Sequence, residues 1–138
     1  MEQHDVFEIG ILRITYYYLL VLGILSFFSG FMRLVGFFMG TLVGLNLALH
    51  ALYALAVSFY CFYSSQQLRK FTKSGYYLAL GFAFFMALAS GLGCFATFRV
   101  DVISALLMAL LSALSVFIAW SLMKASVREL FFPPKPGN

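Results

Sequence analysis

Asn46, His50 and Tyr53 follow a four-then-three spacing, which places them on one face of a helix. Val57 and Tyr60 continue the same row. His50 is the only Asp, Glu, Lys, Arg or His expected deep inside one of the long apolar stretches. Ionisable groups in such stretches are costly and by default mark function. With Asn46 and Tyr53, His50 has the chemistry to bind a ligand, a metal or a haem, or to pass a proton. The simpler use is structural: a neutral imidazole bonded to Asn46, Tyr53 or a neighbouring helix carbonyl, holding helices together. The simpler use is preferred because a metal needs several donors. The other histidine, His4, lies near the start of the chain. A bis-histidine haem would need His50 from two chains or from a partner subunit. No metal and no cofactor is therefore expected.

No catalytic residues are assigned. No histidine is placed to serve a serine or cysteine nucleophile, no carboxylates pair, and no glycine loop has phosphate-binding form. The absence of a carboxylate inside any apolar stretch also counts against a proton-coupled multidrug pump.

The elements that must position the row are set by hydropathy. The chain has 138 residues, 63% hydrophobic and 10% charged, with a mean hydropathy of +0.96. A soluble domain cannot build a polar shell from this. From Ile14 to Tyr63 the only charge is Arg33, and 75–98 and 102–123 carry none. A helix needs roughly 20 apolar residues to cross about 30 Å of hydrocarbon, and lipid leaves the backbone no partner outside its own helix. The expected fold is therefore all-α: an integral membrane four-helix bundle forming a single membrane domain. Its spans are expected at about 10–30, 36–62, 75–98 and 102–123, with a loop at 64–74 and a tail at 124–138. Met1 to Glu8 holds Glu2, Asp5 and Glu8 but no Lys or Arg, unlike a cleaved signal.

Four spans put the N-terminus, the 64–74 loop and the tail on one side. That side holds Arg13, Arg69, Lys70, Lys73, Lys124, Arg128 and Lys135, against Arg33 and Arg99 on the other. The positive-inside rule then places both termini in the cytoplasm. Topology also explains the net charge of +4 without nucleic acid. Arg69, Lys70 and Lys73 could touch anionic lipid headgroups.

Gly36, Gly40, Gly44 and Ala48 recur every fourth residue, and Ala51, Ala54 and Ser58 extend that side. Such stripes let helix backbones approach closely. Either another helix of this chain or a second copy could fill the stripe. Weaker rows run through Ala79, Ala83, Ala87 and Gly91, and through Ala105, Ala109 and Ala113. Cys61 and Cys94 are expected at opposite ends of their helices, too far apart to bridge.

Residues 66–71, Gln-Gln-Leu-Arg-Lys-Phe, form a short basic turn between two spans. The last span leaves through 122–131, Leu-Met-Lys-Ala-Ser-Val-Arg-Glu-Leu-Phe. Over about residues 50–132 this pattern resembles a loose group of small, mostly uncharacterised bacterial inner-membrane proteins with four helices. No Trp precedes Arg69, where the group usually has an aromatic-basic pair. The resemblance implies the bacterial inner (plasma) membrane and no defined activity.

The leading expectation is a non-enzymatic subunit or accessory factor that acts through helix–helix contacts. Its partners would be membrane lipids and a second copy or other membrane subunits. The alternative is an oligomeric small-solute transporter or channel lined by Asn46, His50 and Tyr53. A second alternative is a redox subunit with haem at His50.

Overall fold

The computed structural model describes residues 3–40, 44–133 and 137, with side chains from residue 9 onward. The His4 side chain, Thr41 to Val43, Pro134, Lys135 and Pro136 lie outside the described residues. The described residues form five helical segments: α1 (Gln3–Phe38), α2 (Leu45–Arg69), α3 (Lys73–Thr97), α4 (Val102–Leu122) and the short α5 (Ala125–Phe131). Four of them are long and apolar enough to cross a membrane.

The first break in the chain is not where the sequence suggested. Gly30 to Arg33 was expected to turn, with a second helix from about residue 36. Instead α1 runs unbroken for 36 residues, about 54 Å at helical rise. The turn falls between Phe38 and Leu45, where Gly40 (φ +68°) and Gly44 (φ +145°) adopt backbone angles that L side chains resist. Gly30 is helical, and its missing side chain serves packing. A Cβ there would stand 3.0 Å from the Ala51 carbonyl oxygen and 3.0 Å from Leu55 Cγ. Gly23, two turns earlier on the same face, meets Cys61 Cβ at 3.1 Å in the same sense.

The expected 64–74 loop is likewise mostly helix. α2 continues to Arg69 and closes with Phe71 N–H donating to the Leu68 carbonyl (3.0 Å) and Thr72 N–H to that of Gln67 (3.3 Å). This pair of bonds is the Schellman ending. Its left-handed position is normally a glycine, but here it is Phe71 at φ +53°, at a cost of about 1–2 kcal/mol. Thr72 then caps α3, accepting from Gly75 N–H at 3.1 Å. The tail begins with α5, which turns under this corner. The Phe131 ring lies 5.3 Å from Tyr76 and 5.9 Å from Phe71.

At the other short turn Asp101 caps α4, accepting from Ile103 N–H at 3.0 Å and from the Ser104 hydroxyl. The Ser104 hydroxyl and the capped backbone N–H groups hold the Asp101 carboxyl below its ordinary value of 3.8. A depressed carboxylate stabilises above its unfolded value and loses that contribution as pH falls through the folded one. Wild-type amide protection at the start of α4 should therefore fall on acidification below about pH 4. In Asp101→Ala it should start lower and show no such step. Hydrogen exchange read by mass spectrometry checks this.

Two hairpins result, α1 with α2 and α3 with α4, each packed along its length. They meet chiefly through α2 and α3, at the end carrying the start of α1 and the end of α4, called proximal below. Every larger core side chain lies there, including Leu19, Leu68, Phe82, Ile118, Leu122 and Val127. At the distal end Leu49, Leu88 and Leu92 are all more than half exposed. These residues continue the facing sides of α2 and α3, so the hairpins are not packed together there.

α1 and α4 touch little, and their principal tie is a buried hydroxyl pair, Tyr18 with Ser115 at 2.6 Å. Ser115 gives its only proton to the Leu111 carbonyl (2.7 Å), so Tyr18 donates to Ser115. Tyr18→Phe should cost about 1 kcal/mol, measurable as a lowered unfolding midpoint in mixed micelles, with Tyr17→Phe unchanged.

Candidate functional site

α2 carries the polar row in two parts with different surroundings. In its proximal part, Tyr60 donates to the Leu78 carbonyl (3.0 Å) and stacks on Phe82 at 5.6 Å. That half of the row joins the two hairpins. In the distal part, Asn46 and His50 are exposed and Tyr53 is 58% exposed. The distal part continues the same row beyond the contact between the hairpins, so its side chains are left exposed.

His50 had been expected near the middle of its helix. It lies in the second turn of the 25-residue α2, because α1 takes the residues through Phe38. By helical rise it stands about 8 Å from the distal end of α2 and about 10 Å from its midpoint. His50 Nδ1 is 2.7 Å from the Asn46 carbonyl oxygen. A carbonyl only accepts, so Nδ1 holds the proton, and in the neutral ring Nε2 is left as a bare acceptor. Tyr53 sits one turn further in, at the rim of a cleft of about 330 Å³ between α2 and α3. Val57, Gly81, Phe82 and Phe85 complete its apolar wall. Among the described residues no three of His, Cys, Asp and Glu gather where they could hold a metal.

The expected stripe of Gly36, Gly40, Gly44 and Ala48 does not exist as one helical face. Gly36 belongs to α1, Gly40 and Gly44 shape the turn, and Ala48 alone lies within α2. A four-residue repeat makes a stripe only while the helix continues, and here it stops between Phe38 and Leu45. The extension of that row does meet α1. Ala51 is fully buried, Ala54 lies beside Gly30, and the Ser58 hydroxyl donates across to the Gly23 carbonyl at 2.8 Å. The partners on α1, Gly23 and Gly30, went unread in the sequence. Their seven-residue separation, two helical turns, was the available signal.

Arg69, Lys70 and Lys73 have different immediate surroundings. Lys73 Nζ stands 5.4 Å from the centre of the Phe132 ring. Lys70 caps α2 just beyond its last residue, its N–H donating to the Gln66 carbonyl. Arg69 instead shares a cleft of about 680 Å³ with Arg13, Tyr16 and Tyr17 of α1. Neither cysteine is bridged; Cys61 is fully buried against α1.

No family model, no curated protein and no solved structure matches this chain.

Proposed function

We propose that this chain is a four-span inner-membrane protein with both termini in the cytoplasm. It has no enzymatic activity in this reading. It acts as a subunit or accessory factor through helix–helix contacts in the bilayer. The observation that carries the reading is the exposed polar row on α2. Asn46, His50 and Tyr53 are exposed where the two hairpins part, which leaves their polar groups open to a neighbouring helix. A bare imidazole acceptor facing hydrocarbon is unfavourable, and a donor on a neighbouring helix removes that cost. The uncovered distal flanks of the hairpins offer apolar surface beside it. The orientation follows from charge. Among the described residues Arg13, Arg69, Lys70, Lys73, Lys124 and Arg128 lie at or near the proximal end, and only Arg33 and Arg99 toward the distal one.

Purification in mild detergent followed by native mass measurement tests the reading. A dimer, a larger assembly or a defined co-purifying membrane subunit is expected. A strictly monomeric species with nothing bound to it overturns the proposal.

The same exposed row supports one other reading, a small-solute path enclosed by several copies with Asn46, His50 and Tyr53 on its wall. In that case His50→Ala alters flux in reconstituted vesicles, and unchanged flux excludes it.

A further inference from the structure

The cleft at the proximal foot of α1 and α2 joins groups that are distant in sequence. Arg13 comes from α1, three turns from its start, and Arg69 is the last residue of α2. Both are exposed, and they border one concavity of about 680 Å³. Its deeper wall includes Leu12 and Leu68, 8% and 3% exposed, so the core itself supplies an apolar floor. Tyr16 and Tyr17, packed edge to face at 5.5 Å, add aromatic faces and hydroxyls. No carboxylate lines the cleft among the described residues. Phe71 closes one side, held there in the left-handed conformation that a glycine would adopt more easily. An aromatic ring kept at a strained position on the rim of a cleft fits a role in shaping it.

Two guanidiniums above an apolar floor, at the boundary between the apolar helices and the basic end, match one ligand chemistry. It is a phosphate diester carried on hydrocarbon. Guanidinium forks bind phosphate oxygens in pairs, tyrosine rings favour the headgroup layer, and the floor accepts acyl or glycerol carbons. We infer that this cleft binds the headgroup of one anionic phospholipid, with Arg13 and Arg69 on its phosphate. The inference rests on the membrane location proposed above. It also replaces the looser expectation for Arg69, Lys70 and Lys73, since only Arg69 of the three reaches the cleft.

The test reconstitutes the protein in bilayers of phosphatidylcholine with a minority of phosphatidylglycerol. Lipid retained after extraction is then counted by native mass spectrometry. Wild type should retain one phosphatidylglycerol in preference to phosphatidylcholine. Arg13→Gln and Arg69→Gln should each lower that retention about tenfold, the usual scale for losing a charged hydrogen-bond pair. Lys124→Gln, which removes the same charge at the same end beside Trp120, should not. Equal retention of the two lipids, or an equal loss in Lys124→Gln, overturns the inference. Displacement of the lipid by millimolar inorganic phosphate would reassign the cleft to a soluble phosphate and also overturns it. Both arginines are exposed, so unchanged unfolding midpoints in the Gln variants should show the fold intact. A protein that stays monodisperse without detergent sinks the membrane reading itself. A detergent-dependent protein with no lipid preference sinks only this site.

Discussion

Gly75→Ala is expected to disrupt the corner between α2 and α3, with a loss of about 3 kcal/mol, the upper end of what overpacking costs. A Cβ at Gly75 would lie 2.5 Å from the Gln67 carbonyl carbon, 2.6 Å from its oxygen and 2.6 Å from Leu68 N. These are backbone atoms, so no rotamer change relieves the clash. Nor can the strand of chain that holds them yield easily. The Gln67 carbonyl accepts from Thr72 N–H and from the Thr72 hydroxyl, the latter at 3.0 Å, and the Leu68 carbonyl accepts from Phe71 N–H. Moving α3 away would instead break the Thr72 cap on Gly75 and pull Tyr76 from Phe131 and Phe132. Gly81→Ala is the matched comparison. Nothing lies within 4 Å of its added methyl, and alanine is the better helix former, so stability should change by no more than about 1 kcal/mol. Unfolding midpoints of both variants in mixed micelles decide the matter. Equal midpoints would mean that the close approach at Gly75 is not present in solution.

His50→Leu is expected to leave the monomer fold intact and to weaken its assembly about three- to twenty-fold. The monomer should survive because the described hydrogen bond of His50 goes to Asn46 of its own helix, and the ring is exposed. The range follows from inter-helical hydrogen bonds in membranes, which contribute roughly 0.6–1.7 kcal/mol each. Leucine keeps the volume and the apolar contact but removes the Nε2 acceptor, so the loss isolates the polar term. Sedimentation in density-matched detergent measures the association constant. An unchanged constant with His50→Leu would reduce the exposed row to a lipid-facing surface and leave the subunit reading without its support. Asn46→Leu should give a smaller loss, because its backbone carbonyl, which any residue supplies, is the atom that orients the imidazole.

Much of the architecture was legible in residue order. Long apolar stretches made four helices, and the basic residues gathered toward one end. The first turn was not legible, and Gly30 shows why. Glycine permits both a reversal of the chain and a close approach of two helices. Which use applies at Gly30 depends on the Ala51 carbonyl and Leu55, twenty residues and more away. Gly40 and Gly44 read equally well as the stripe of a longer helix until their positive φ angles put them in a turn. The cleft of Arg13 and Arg69 was hidden for a related reason. Each arginine alone reads as a topological charge, and only the antiparallel pairing of α1 with α2 brings them to one space.

By itself the sequence determined helicity and the number of apolar segments, because backbone hydrogen bonding within a helix is local. Only the tertiary structure decided which face is covered. In a soluble protein hydropathy would have said so, since the outside must be polar. Here the exposed side chains, among them Leu45, Leu92 and Phe95, are as apolar as those of the core. The pattern that normally separates inside from outside therefore carries no such information, and contact with a particular neighbour does the sorting.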